Sequence, residues 1–171
     1  MNHNKIGFID PFILWTGIIT VFILVGAVFL GIKSGDKPSI VESNQVKISL
    51  SGTTADWGTI DYDKGIVSKS FEIKNDGTET LQLFDVKTSC MCTTAQLIKP
   101  SKTSQKFQMH DESSSVFTVG PGETAQLLVE FDPAFHGPSG VGPITRTITL
   151  ETNDVSQKEL SFDLTGTVVK K

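Results

Sequence analysis

An all-β sandwich preceded by one N-terminal transmembrane helix is the fold class that this 171-residue sequence predicts. Three observations carry the prediction. Phe12 to Ile32 holds no charged side chain and is long enough to cross a bilayer as a helix. Beyond Gln45 the apolar residues recur at every second position in short runs, the period of a strand with one buried face. Between those runs stand clusters of Gly, Pro, Asn and Asp, and no stretch there keeps the period of a soluble helix.

Residues 1–11 are read as a tail, 12–32 as the membrane helix, 33–45 as a polar tether and 46–171 as the sandwich domain. A cleaved signal peptide is the alternative for the apolar run. Secretory apolar cores are usually about 7–15 residues long and end at a small-residue site, whereas Val25-Gly26-Ala27 falls inside the run. Lys5 precedes the run and Lys33 and Lys37 follow it, so charge alone leans by one lysine toward a cytoplasmic carboxyl side.

Within the domain, Val46, Ile48 and Leu50 alternate with Lys47, Ser49 and Ser51 as a first strand. Asp61 to Gly65 reads as a turn, and Ile66 to Lys74 as a strand with Phe71 and Ile73 on one face. Asn75-Asp76-Gly77 signals a hairpin, because these residues tolerate the positive φ of tight turns. Leu81, Leu83 and Asp85 share one parity of the strand running toward the cysteines. Lys99 to Ser115 is a polar insertion, with Phe107 and Met109 its main apolar residues. After Val116–Val119 and the breaker Gly120-Pro121-Gly122, Thr124 to Asp132 is a strand with Leu127, Val129 and Phe131 on one face. Pro133 to Gly142 reads as a long exposed loop. Ile144 to Thr152 puts Ile148 and Leu150 inward and Thr145, Thr147 and Thr149 outward, and Leu160, Phe162 and Leu164 begin a last strand that reaches Val169. Six or seven such strands can bury one core between two sheets.

Charge narrows the partners. Of 15 basic and 19 acidic side chains, three lysines (5, 33, 37) and two aspartates (10, 36) precede residue 38, which leaves 12 against 17, a net of −5. An acidic domain repels phosphate backbones, so nucleic acid is not an expected partner. The sequence shows no phosphate-cradling glycine loop, no zinc-protease helix and no nucleophile signature, and no enzyme activity is expected.

Several blocks together resemble a known family. Asp56-Trp57-Gly58-Thr59-Ile60, then Phe71 to Gly77 with Leu81, Ser89-Cys90-Met91-Cys92-Thr93, Pro121-Gly122-Glu123 with Val129 to Asp132, and Thr152-Asn153-Asp154 are similar to the successive blocks of the bacterial domain-of-unknown-function family 1573. The resemblance covers residues 46–169 and implies an Ig-like sandwich of the ASH, MSP and PapD type on an exported protein. It thereby sets the domain outside the cytoplasm, against the one-lysine margin. Trp57 stands where that family often has Phe, and the stretch 96–119 is longer than its usual link.

Thr88 to Thr94 holds both cysteines of the chain, Cys90 and Cys92. On a regular strand, residues i and i+2 face one way with Cα atoms about 6.5–7 Å apart, at the upper edge of disulfide geometry. A direct bond therefore needs a turn or is strained. Two thiolates on one face suit copper(I) or zinc, with Met109, His110 and His136 as the further candidate ligands. Three readings stand: a buried structural clip, a metal site, or a redox-active pair. Trp57 reads as a core aromatic and Arg146, the single arginine, as an ion-pair partner on a strand face.

Two functions of different class follow. One is a non-catalytic, membrane-anchored extracytoplasmic Ig-like domain that binds a protein partner or supports the envelope, with the loops 96–119 and 133–143 as contact surface. The other is a metal-handling domain that holds copper(I) or zinc at the Cys-x-Cys.

Overall fold

A computed structural model describes residues 10–31, 39–111 and 115–171. Residues 1–9 of the expected tail, residue 32 of the expected span, tether residues 33–38 and residues 112–114 of the insertion lie outside the described part. The first unit carries helix α1, Pro11–Gly31, a 21-residue element. Its start follows from local chemistry: Asp10 Oδ1 accepts from the Phe12 amide at 3.0 Å, and Pro11 occupies a position whose N–H would have no partner. The side chains of α1 are described from Pro11 to Leu24, and among the described residues no helix is long and apolar enough to cross a membrane.

Among the described residues, the second unit has ten strands: β1 Ile48–Leu50, β2 Thr54–Asp61, β3 Val67–Asn75, β4 Leu81–Thr88, β5 Thr93–Lys99, β6 Lys102–Thr103, β7 Phe117–Val119, β8 Thr124–Phe131, β9 Gly142–Thr152 and β10 Glu159–Val169. One sheet runs β1-β3-β8-β5-β6, the other β2-β10-β9-β4-β7. Pairing is antiparallel except where β2 lies parallel to β10. The alternation explains the core directly. Phe71 and Ile73 from β3, Leu127 and Val129 from β8, Ile148 and Leu150 from β9, and Leu160, Phe162 and Leu164 from β10 meet between the sheets and are all nearly inaccessible. Phe71 and Phe162 pack across the layers with ring centroids 4.8 Å apart.

Several features depart from the sequence reading, and each has a physical cause. Asn75-Asp76-Gly77 begins no hairpin, since β3 and β4 on either side of it belong to different sheets and the chain crosses between them there. Strand β2 was not anticipated because it is an edge strand, and Ile60 is its one fully buried residue. Strand β5 was hidden because polar Thr93 fills an inward position alongside Ala95 and Leu97. The expected insertion is in part sheet, since β6 pairs with β5 and a bridge between Ala95 and Phe107 carries Phe107 into the core at 2% exposure. In β4 the parity changes: Leu81, Leu83, Val86 and Thr88 are buried, and Asp85, at φ 47°, sits outside the inward set. A register shift against β9 between Phe84 and Lys87 marks a β-bulge there, and the bulge turns Thr88 inward just before the cysteines.

Two buried asparagines fix the loops at one end. Asn75 donates from Nδ2 to the Glu79 and Val119 carbonyls at 2.7 and 2.9 Å and accepts from the Gly77 amide at 3.0 Å. Gly77 is required by close approach and not by a positive φ, because a Cβ there would be driven into the Gln45 carbonyl and the Lys47 amide. Asn153 holds the Val41 and Thr80 carbonyls in the same way, at 3.0 and 3.1 Å. Residues 39–45, expected as tether, thus lie along the sandwich, with Ser43 in a bridge to Asp154.

Candidate functional site

The chain passes from one sheet to the other between Thr88, the last residue of β4, and Thr93, the first of β5, and both cysteines lie in that crossing. It is a turn, closed by the Thr93 amide donating to the Cys90 carbonyl at 3.1 Å. Thr88, brought inward by the bulge, donates its hydroxyl to the Cys90 and Thr93 carbonyls at 3.0 and 3.1 Å. Curling the backbone draws the cysteine Cα atoms to 5.2 Å, inside disulfide range, and Cys90 and Cys92 are bonded. The strand geometry that disfavours a direct bond therefore does not apply here.

Surroundings make the two sulfurs unequal. Cys92 is 3% exposed and belongs to a small apolar cluster with Ile60, Phe131 and Val168, whereas Cys90 is half-buried at its rim. The loop after β8 begins where the Asp132 amide donates to the Cys92 carbonyl at 2.9 Å. Asp132 Oδ1 then accepts from the Ala134 amide at 2.9 Å, and Gly137 takes φ 62°. This tight path sets His136 Nε2 3.3 Å from Cys90 Sγ, with the Phe135 ring edge-on to the imidazole at 5.1 Å.

On the other side stands Arg146. It shares the inward parity of Ile148 and Leu150, so its side chain is partly buried at the end of the core. Nε donates to Cys92 Sγ at 3.1 Å, Nη1 donates to the Thr145 carbonyl at 2.7 Å, and the guanidinium lies 5.2 Å above the Phe131 ring. Among the described residues it forms no ion pair, contrary to the sequence reading. Burial draws its pKa below the ordinary value, yet a guanidinium remains charged at any physiological pH. Trp57 is a core aromatic at this corner, 5.5 Å from the Phe131 ring, and its Nε1 is buried without a partner.

Cys90, Cys92 and His136 form the group whose ligand-type atoms lie within 4.8 Å of one another. His110 stands outside that group and is exposed, and Met109, 41% exposed, follows the bridge at Phe107. Beside the disulfide opens a cleft of about 170 Å³ lined in part by Ile66, Met91, Cys92 and Phe135. Ile66 and Phe135 are 61% and 50% exposed. The disulfide closes a loop with a single intervening residue, which in a chain-entropy account stabilises the fold by only about 1.6 kcal/mol. Stability alone is a weak reason for its presence.

Two five-stranded sheets face to face, with one parallel edge pair and a sulfur-bearing crossing between them, define a β-sandwich. The chain belongs to the family described as protein of unknown function (DUF1573), whose model matches residues 48–168. Among solved structures it is similar to a protein of unknown function from Porphyromonas gingivalis W83, with 20% identity and TM-score 0.57 over 77% of this chain and 51% of that one. This chain thus spans about half the length of that relative. It is also similar to the ASH/PapD-like domain 7 of human CEP192, at 13% identity and TM-score 0.49 over 78% of this chain and 92% of that one. A third is the YadV chaperone, at 12% identity and TM-score 0.43 over 71% and 51%. At such identities the likeness concerns fold. No curated protein matches the sequence.

Proposed function

We propose that this chain is a membrane-anchored, extracytoplasmic Ig-like domain that binds a polypeptide partner at the corner of the Cys-x-Cys turn. The observation that carries the reading is the cleft beside the disulfide, where Ile66 and Phe135 stand well exposed within a rim that includes Lys106, Glu130 and Asp132. Apolar side chains held open on a rigid scaffold beside charged ones suit an anchor residue of a partner. Anchoring rests on the sequence, in which the run Phe12–Ile32 carries no charged residue. A photo-crosslinking residue at position 135 tests the reading in cells. It captures a defined envelope protein, and a crosslinker at Thr78, outside the cleft, does not. Equal capture at both positions, or none, removes it.

A second reading follows from the sulfur and imidazole donors. With the bond reduced, Cys90, Cys92 and His136 offer three donors suited to zinc or copper(I), close enough to converge on one ion. Arg146 weighs against it, because a cation at Cys92 Sγ meets a guanidinium already 3.1 Å away. Zinc or copper(I) added to the reduced full chain decides the matter: stoichiometric uptake lost in Cys90→Ser supports the site, and no uptake removes it.

A further inference from the structure

We propose that the Cys90–Cys92 disulfide is a thiol–disulfide exchange site that takes two electrons from the dithiol of a docked polypeptide, Cys90 being the sulfur attacked and Cys92 the sulfur that leaves. The partner in this inference rests on the docking reading above. The chemistry rests on the asymmetry of the bond. Cys90 is reachable at the rim and Cys92 is 3% exposed, so an incoming thiolate meets Cys90 Sγ. Once the bond breaks, the electron pair stays on Cys92 Sγ, to which Arg146 Nε already donates at 3.1 Å. Since Arg146 has no carboxylate partner among the described residues, its charge is available to that thiolate. A cation that favours the reduced pair over the bonded one makes the disulfide an oxidant toward ordinary dithiols.

A partner thiol gives its proton to the His136 imidazole, whose Nε2 lies 3.3 Å from Cys90 Sγ, and its thiolate attacks Cys90 Sγ. A bond forms between the partner sulfur and Cys90, the Cys90–Cys92 bond breaks, and Cys92 becomes a thiolate held by Arg146. The partner's second thiol then loses its proton to solvent and attacks the first partner sulfur. The partner disulfide forms, and Cys90 leaves and takes the proton back from His136. The partner dithiol is oxidised, Cys90 and Cys92 are reduced, and one proton is released. The Cys92 amide, which donates to Cys90 Sγ at 3.2 Å, supports the developing charge on that sulfur as well.

The test uses the full chain in detergent, acid quenching, alkylation and peptide mass mapping. With glutathione disulfide, Cys92→Ser forms an adduct on Cys90 at least tenfold faster than Cys90→Ser forms one on Cys92. With reduced glutathione, the wild-type pair is reduced while the circular dichroism of the sandwich persists. Arg146→Met slows that reduction at least tenfold, and Arg146→Lys restores part of the rate. If Arg146→Met does not fold, the preference between the two sulfurs and the Arg146→Lys rate decide. A pair that stays bonded in millimolar glutathione, an adduct favoured at Cys92, or an unchanged rate in a folded Arg146 variant overturns the proposal. Docking is read separately with a reduced Cys-x-x-Cys peptide bearing a Leu: Phe135→Ser slows exchange with the peptide and leaves glutathione unaffected. Loss of that difference alone removes the docking reading, and an inert disulfide alone removes the exchange.

Discussion

Buried asparagine is costly unless every polar atom is met, and Asn75, wholly inaccessible, meets two carbonyls and one amide. Asn75→Ala strands the Glu79 and Val119 carbonyls and the Gly77 amide, so urea denaturation of the full chain should show a loss of about 2–4 kcal/mol. The sequence displayed this residue as a turn former, and it is in fact the plug that joins the β3 end to β7. Arg146 was similarly visible but misread. Its parity with Ile148 and Leu150 points inward, but charged side chains are mostly exposed, so parity alone does not signal a partly buried guanidinium. His136 was legible as a candidate because few histidines exist in the chain and one falls in the Gly/Pro loop. What the sequence could not display was the Asp132 turn that aims it.

At the scale of elements, strands with strict alternation, such as β3, β8, β9 and β10, were readable, since burying one face imposes a period of two. Strands β2 and β5 were not, because an edge position and an inward threonine erase the alternation. The bulge at Asp85 was hidden for a related reason: a one-residue insertion leaves composition unchanged and reverses every inward residue beyond it. The turn joining β7 to β8 carries a pH signature. Glu123 accepts from Lys99 Nζ and from the Gly120 amide, both at 2.8 Å, and the Lys99 bond first, then the amide, holds its carboxyl below the ordinary value of 4.5. A lowered folded-state pKa contributes stability that is present above the ordinary value and lost as pH falls through the lowered one. Wild type should therefore exceed Glu123→Gln in melting temperature at neutral pH. That gap should close progressively below pH 4.5, as thermal scans across an acid series will show.

For the whole molecule, the sandwich is scaffold and its sulfur-bearing corner is where chemistry gathers. The bulge in β4, the crossing between sheets, the loop after β8 and the inward Arg146 of β9 converge on two sulfurs from elements far apart in sequence. No local motif could announce that convergence, because it depends on two sheets being laid face to face. Peptide mapping of the full chain, isolated without reductant and alkylated before digestion, tests it most directly. The account predicts one peptide lighter by two hydrogens, with Cys90 joined to Cys92 and neither sulfur alkylated. Both cysteines alkylated, or a copper or zinc ion retained by two free sulfurs, would contradict it.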